Sequence, residues 1–437
     1  MFTRTPLNVV DQFILDLDQE PEPWSVHCEV RVRGRLDGER VAAAALAAAA
    51  RHPIARARLV SFRQSDQRYF WEIAEQVEHL PLEILECPDD TGVEEARARL
   101  LSLRVGLESA PPFALILAHH PGGDSLIMNL HHAAGDGMSS YRLMTSICRA
   151  YAGIDDPVPD VDPMVIRDLR EHAGARSVKD RVMRLRGLGE RVSESLSEGP
   201  AARVAVQGGR VGAEGFRFHL LRFGPEETTE VMARRCKPAT VNDLLVAALG
   251  IAVRRFNDVR GLAPARVSVM MPVNLRPAEW SQEIISNIVS FVSVSIPLGE
   301  QADLSTAQLT VAKRTRVLKD QHQSGTMVDI LGMLGIWPVG VRHLATQAGR
   351  PMSNQVLDTV VLSNLGRLDA PLDFGNDAGT AAEIWFSPPA HMPLGTAIGA
   401  ATMNGELFLT IRYCEAQYDP AGAAAFADTW RDVLLDR

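Results

Sequence analysis

The segment His131-His132-Ala133-Ala134-Gly135-Asp136-Gly137 places two imidazoles and a carboxylate in one short stretch of chain. Imidazole titrates near neutrality, so a histidine steadied by a nearby acid is suited to take a proton from a nucleophile. The apolar run at 125–130 reads as a strand that delivers the pair at its C-terminal end. Side chains alternate along a strand, so the two rings point to opposite faces and only one can meet a given cleft. Gly135 and Gly137 allow tight backbone around Asp136. Ser139-Ser140 can then cap a helix whose Leu143, Met144, Ile147 and Tyr151 recur at helical spacing before Gly153. The competing reading makes His132 a satisfied core histidine and Asp136 a loop or cap residue.

A second pair lies twelve residues upstream, in His119-His120-Pro121-Gly122-Gly123-Asp124. Ser125 follows it instead of glycine, and Pro-Gly-Gly-Asp is turn chemistry. With apolar runs at 113–118 and 126–130, the segment reads as a β-hairpin with a four- or five-residue loop. His119 and His120 are then expected at its solvated end.

The 437 residues suffice for two lobes with substantial cores. Hydrophobic residues make up 46% and charged residues 23%, the profile of an ordinary globular chain. A net charge of −9 and the lack of a basic aromatic stripe argue against a nucleic-acid partner. Lysine supplies only four of the 45 basic residues (Lys179, Lys237, Lys313, Lys319), which together with the alanine excess suggests a GC-rich bacterial gene. The five cysteines (Cys28, Cys87, Cys148, Cys236, Cys414) are scattered, without metal or disulfide spacing, and the histidines lack zinc-like partners. A reducing, cytoplasmic setting without a transmembrane segment or signal peptide is expected.

Stepping along the chain, strands are expected at 24–33, 58–64 and 68–74, and helices at 37–51 and 92–105, all ahead of the hairpin. Residues 155–215 change character, with a proline-rich stretch at 158–163, an arginine-rich helix at 176–191, and many Gly, Ser and Ala residues after it. The division expected is an N-terminal lobe at 1–175, a crossover at 176–215, and a C-terminal lobe at 216–437. A solvated face is favoured for the arginine-rich helix, with peripheral contact to anionic lipid or an acidic partner left open. In the second half, strands are expected at 216–223, 267–273, 287–297, 356–363, 383–387, 395–403 and 406–413. Helices are expected at 225–237, 240–256, 304–321, 326–346 (broken at Trp337-Pro338) and 421–435.

Taken together these residues resemble the condensation-domain-like, coenzyme-A-dependent acyltransferase superfamily. Beside the HHxxxDG segment, Pro6-Leu7-Asn8-Val9-Val10-Asp11-Gln12-Phe13 and Asn242-Asp243-Leu244-Leu245 are similar to segments of its wax ester synthase/diacylglycerol acyltransferase group. Met271-Pro272-Val273-Asn274-Leu275-Arg276 is similar to the superfamily's Pro-Val-x-x-Arg segment, and Ser286-Asn287-Ile288-Val289 and Leu362-Ser363-Asn364-Leu365-Gly366 also have counterparts. The chain departs from the wax ester group at Gly366-Arg367-Leu368, and it carries only half of the plant-type signature in Asp373-Phe374-Gly375-Asn376-Asp377.

The resemblance implies an α/β (α+β) fold of two chloramphenicol-acetyltransferase-like lobes in a V, with an active-site tunnel between them. It implies His132 as general base facing the tunnel, His131 anchoring the loop, and Asp136 paired with Arg276 from the other lobe. For the oxyanion, backbone N–H near Gly137 and the side chains of Ser363 or Asn364 are candidates, and Asn287 is a candidate for the acceptor channel. His391, in a proline-rich loop, is expected at the surface. No tightly bound cofactor or metal is expected; the donor would be acyl-CoA or a phosphopantetheinyl carrier protein, and the acceptor an alcohol or amine. Three alternatives stay open: a carrier-protein-dependent condensation enzyme of the nonribosomal-peptide type, an inert condensation-like domain that only recruits partners, and a lipid-exporting or lipid-binding protein at the membrane surface, drawn from Thr326–Thr346 and the arginine-rich helix.

Overall fold

The computed structural model describes residues 3–18, 22–157, 162–277, 280, 283, 285–346, 358–369, 372–375, 378–392 and 394–437. The stretch at 158–161, Asn376-Asp377 and the expected strand start at Val356 lie outside these.

The first half runs β1 (Thr3–Pro6), α1 (Val9–Leu17), β2 (Ser25–Arg31), α2 (Gly38–Arg51), β3 (Ala57–Leu59), β4 (Phe70–Ile73), β5 (Leu82–Glu86), α3 (Asp90–Ser102), β6 (Phe113–His119), β7 (Ser125–His131) and α4 (Gly137–Ala152). Every residue of β7 is buried, because α4 lies over one face of its sheet and α3 over the other. This is why Leu126-Ile127-Met128 reads as a continuous apolar run and not as an alternation. Its one interior amide, Asn129, donates to Leu100 O (2.7 Å) and Leu103 O (3.1 Å), closing the end of α3. The β6–β7 pair is antiparallel, as the hairpin reading expects.

After the short α5 (Leu169–Ala173) and the arginine-rich α6 (Val178–Ser197), the second half runs β8 (Phe216–Phe223), α7 (Pro225–Ala233), α8 (Val241–Asp258), β9 (Val267–Asn274), β10 (Val289–Ile296), α9 (Leu304–Asp320) and α10 (Thr326–Leu334). A helical stretch at 339–346 (α11), β11 (Val360–Arg367), β12 (Glu383–Ser387), β13 (Thr396–Met403), β14 (Glu406–Cys414) and α12 (Pro420–Leu435) complete it. Trp337-Pro338 interrupts the apolar stretch between α10 and α11, since proline cannot donate to a continuing helix.

The described strands form a five-stranded sheet (β12-β2-β7-β6-β5), a six-stranded sheet (β10-β9-β11-β13-β14-β8) and a small three-stranded one (β1-β4-β3). The molecule is therefore a mixed α/β fold of two lobes, each of the two larger sheets backed by helices. Sequence periodicity missed four elements, β1, α1, β5 and α5, and two of them show why. Helix α1 is short, but its capping box is explicit: Asn8 accepts from Val10 N and Asp11 N, and Asp11 accepts from Asn8 N. Strand β5 is an edge with its side chains largely exposed, so burial leaves no mark on it.

The division at residue 215 is not the division in space. Strand β12, from the second half, pairs antiparallel with β2 from Glu383↔Arg31 to Ser387↔His27 and so belongs to the first lobe's sheet. Where it crosses β13, a side chain on Gly399 would begin 1.7 Å from Phe386 O, so this position admits no other residue. Arg412, on β14, is fully buried and reaches across to Ser25 O (2.9 Å) and Leu101 O (3.1 Å). Burial pushes its guanidinium down to about 10.

Gly399→Ala should lower unfolding free energy by about 3 kcal/mol or more through overpacking at the crossing. Gly189→Ala, on α6 with open space around it, should leave stability unchanged or slightly raised. Urea melts of both variants test this, and equal midpoints would contradict a tight crossing.

Candidate active site

At the end of β7 the two histidines turn to different partners, as strand alternation requires. His131 is buried; its Nδ1 accepts from Ala133 N (3.1 Å), which leaves Nε2–H to donate to Asp18 (3.3 Å). Burial pushes the Asp18 carboxyl up, but hydrogen bonds from His131 and Trp24 N and the nearby Arg104 guanidinium outweigh it and hold it below its usual value.

His132 is only partly buried, and its ring forms part of the wall of a cavity of about 290 Å³ between the lobes. Its Nδ1 lies 3.1 Å from Gly135 O. A carbonyl only accepts, so Nδ1 carries the proton and Nε2 is left as the basic nitrogen. Burial pulls the imidazole below 6.5, more than the Asp136 charge lifts it, so the ring is neutral at pH 7. Trp24 stacks on this ring at 6.2 Å and on His391 at 5.3 Å. The structure thus puts His391 on the cavity wall and not at the expected surface, because the Pro388-Pro389 loop folds over Trp24. Most of the remaining wall is apolar, from Val10, Phe13 and Ile14 of α1 to Pro272, Phe291 and Phe386.

Asp136 does not face substrate space as a free acid. It caps α4 through Ser139 N (2.9 Å) and takes a bidentate contact from Arg276, just past β9, at 2.8 and 2.9 Å. Ile288 N (3.0 Å) also donates to it, and Arg276 continues to Ser286 O (2.6 Å) and Ser139 Oγ (3.0 Å). Burial would raise this carboxyl, but the Arg276 guanidinium and the N–H donors hold it below its usual value. Gly137 follows, and a side chain there would begin 2.6 Å from the Phe386 ring and 3.0 Å from Leu365.

The remaining expected residues separate. Ser363, on β11, lines the cavity. Asn364 points the other way, its carboxamide oxygen accepting from Gly366 N (2.8 Å) at a bulge of β11 where Gly366 has φ of +78°. Asn287 does not line the cavity. It is fully buried behind His132, donating to His132 O (2.6 Å) and to Asp11 (3.0 Å). The peptide unit of His132 needs a donor there, and an internal asparagine supplies it.

Three residues that sequence reasoning missed complete the support. Asp11 takes Asn287 on one oxygen and Arg167 on the other, and Arg167 Nε donates to Ser286 Oγ (2.8 Å). Trp24 is the third. Asp11 lies within the quoted Pro-Leu-Asn-Val-Val-Asp segment, so its position was visible though its partners were not. The upstream pair is also corrected: His119 is buried at 6% exposure with Nδ1 2.7 Å from Asp124, which also accepts from Leu36 N (2.7 Å). The hairpin turn is thus tied to the lobe by its own acid, and among the described residues neither His119 nor His120 lines the cavity.

The Condensation domain family model matches residues 11–331, and the chain belongs to this family. It is 36% identical over 433 residues to the uncharacterized protein Rv2305 of Mycobacterium tuberculosis (strain ATCC 25618 / H37Rv), with 98% of each chain covered. The fold is similar to that of the starter condensation domain of rhizomide synthetase RzmA, solved with C8-CoA and Leu-SNAC (TM-score 0.68, 14% identity, 99% of this chain and 94% of that one). It is also similar to TRI3 trichothecene 15-O-acetyltransferase from Fusarium sporotrichioides (TM-score 0.71, 12% identity, 99% and 95% covered).

Asp136→Asn should cost about 3–5 kcal/mol at pH 7, since it leaves the Arg276 cation buried without a counter-charge. The wild-type carboxyl titrates below its unfolded value, so its contribution is present above that value and lost as pH falls through the acid range. The variant's stability should therefore fall less steeply with acidification. Chemical melts from pH 7 to 3 measure both effects, and a curve parallel to wild type would contradict the pairing.

Proposed function

We propose that the protein is an acyltransferase that moves an acyl group from a thioester donor to a hydroxyl or amine acceptor, with His132 as general base. The observation that carries this reading is the His132 ring on the wall of the interlobe cavity, with Nδ1 committed to Gly135 O and Nε2 left as the base. Acceptor O–H or N–H gives its proton to Nε2 as its lone pair attacks the thioester carbonyl carbon. The carbonyl π pair moves to oxygen, and the tetrahedral oxyanion forms. As that oxyanion re-forms the carbonyl, the C–S bond breaks and the thiolate takes the proton back from the imidazolium.

Ser363 Oγ and the N–H of Gly137, at the start of α4, are the oxyanion donors in this scheme. His131, Asp136, Arg276 and Asn287 act as positioning residues: they fix the loop and the His132 peptide and touch no substrate. The apolar wall suits a hydrocarbon acyl chain. One solved relative was determined with C8-CoA and the other is an O-acetyltransferase, and both support acyl transfer from a thioester donor. Acyl-CoA is the donor favoured, with a phosphopantetheinyl carrier protein as the second, and the pathway is lipid or specialised-metabolite biosynthesis.

Incubation with acyl-CoA and acyl-carrier-protein donors against a panel of alcohols and amines, read by mass spectrometry, should yield an ester or amide. No product with any pair would favour a domain that only recruits partners.

His132→Ala should lower the rate by about 10²–10⁴-fold with an unchanged melting temperature. His120→Ala should leave the rate unchanged. Wild-type turnover in the first variant would remove the base assignment.

Because burial depresses His132, the base form persists below pH 6.5, and the acid limb of kcat/KM, which reports the free enzyme, should lie under that value. A limb centred above 7 would contradict it.

A further inference from the structure

One acid on the cavity wall takes no part in the chemistry above. Asp358, just ahead of β11, lines the cavity and is 4% exposed. One carboxylate oxygen accepts from Ser268 Oγ (2.9 Å) on β9 and the other from Ser293 Oγ (3.0 Å) on β10. Those two bonds fill only part of a carboxylate's acceptor capacity, which is about four lone-pair sites.

The register of the three strands fixes where this acid sits. Strand β11 runs parallel to β9 with Val360↔Val269 and Val361↔Met270, while β10 runs antiparallel with Val289↔Asn274 and Ser293↔Met270. Asn274 and Val289 mark the end of this wall that leads to Arg276, and Leu365 on β11 reaches the Gly137 position. Asp358, Ser268 and the start of β11 mark the opposite end. About 16 Å of extended chain separates Asp358 from Ser363, taking the usual rise per residue. Between the two polar ends the wall presents Val361, Met270, Phe291 and Leu394.

An acid spent only on pairing strands has no need to line a cavity, where burial is costly. Burial does push the Asp358 carboxyl above its usual value, against the hydroxyl bonds of the two serines and the Arg266 and Arg203 cations. A ligand that donates a hydrogen bond there offsets that cost.

We propose that Asp358, held by Ser268 and Ser293, is a polar subsite at the far end of the cavity that selects an apolar chain bearing a hydroxyl or ammonium group distal to the end that reacts at His132. The identity of the reacting end rests on the acyltransferase reading; the subsite itself is a matter of binding. The protein then belongs to chemistry whose preceding step leaves a second polar group on a long-chain substrate.

Isothermal titration of the whole protein tests this without turnover, using straight-chain alcohols of about ten to fourteen carbons, a span set by that strand length. Three forms are compared, ending at the far carbon in methyl, hydroxyl or ammonium. Wild type should bind one of the two polar-ended forms about tenfold or more tightly than the methyl-ended form. Asp358→Leu should abolish or invert that preference while still binding the methyl-ended chain. Asp358→Asn, which keeps an acceptor oxygen but no charge, separates the sources: a retained preference identifies hydroxyl and a lost one identifies ammonium. Equal binding, or no binding, of all three forms by wild type overturns the subsite even if both variants fail to fold. So does an equal weakening of all three forms in Asp358→Leu, the signature of a strand clamp. Selective binding without product formation from any thioester would instead sink the acyltransferase reading and leave the subsite standing.

Discussion

The contact on which the arrangement depends is the two-pronged bond between Asp136 and Arg276, buried where the lobes meet. One partner caps the helix that follows the histidines; the other closes the strand that forms part of the opposite wall. The same acid takes Ile288 N and Ser139, and the same guanidinium takes Ser286 O, so three segments are referenced to one pair of charges. A buried pair of this kind is weak as a source of net stability and strong as a source of specificity, since most displacements leave a charge or donor unmet. Its effect here is to set the backbone of residues 135–137, and through Gly135 O the proton on the His132 ring.

A second polar chain runs behind the first. Arg167, Asp11 and Asn287 lead to the carbonyl of His132, so the peptide carrying the imidazole is held from both sides. All three are buried polar groups with specific partners, the pattern expected where geometry is being held to a fraction of an ångström. The neighbouring wall is mostly hydrocarbon. The cavity therefore offers a small number of fixed polar points in an apolar volume, which is how orientation is imposed on a flexible chain.

Much of this was legible in the linear chain. The hairpin ahead of His131, the helix after Asp136 and the core face of α8 follow from periodicity, but the cap of that helix is Asp136 and not the expected Ser139-Ser140, which lie inside its first turn. The opposite facing of the two imidazoles follows from strand geometry alone. The Asp136–Arg276 pair required the family resemblance, because 140 residues of chain separate its members and no local pattern joins them. Asn287 and Asn364 were misread for one reason: an asparagine that serves backbone groups looks the same in sequence as one that serves a ligand. His119 and His391 were misjudged in the same direction, since turn residues and prolines nearby suggest exposure, whereas Asp124 and Trp24 draw those rings inward. Asp358 gave no sequence signal, because its meaning lies in the register of β9, β10 and β11.

Strand β12 has a consequence for how the chain is made. The first lobe's sheet ends at β2 until residues 383–387 have left the ribosome, so until then that lobe carries an open, apolar edge. Its final hydrogen-bond ladder comes from a segment far downstream in the sequence. The two halves are thus not independent folding units, and splitting the gene between them would yield a front half that must borrow a strand from elsewhere, with its own copies the nearest source.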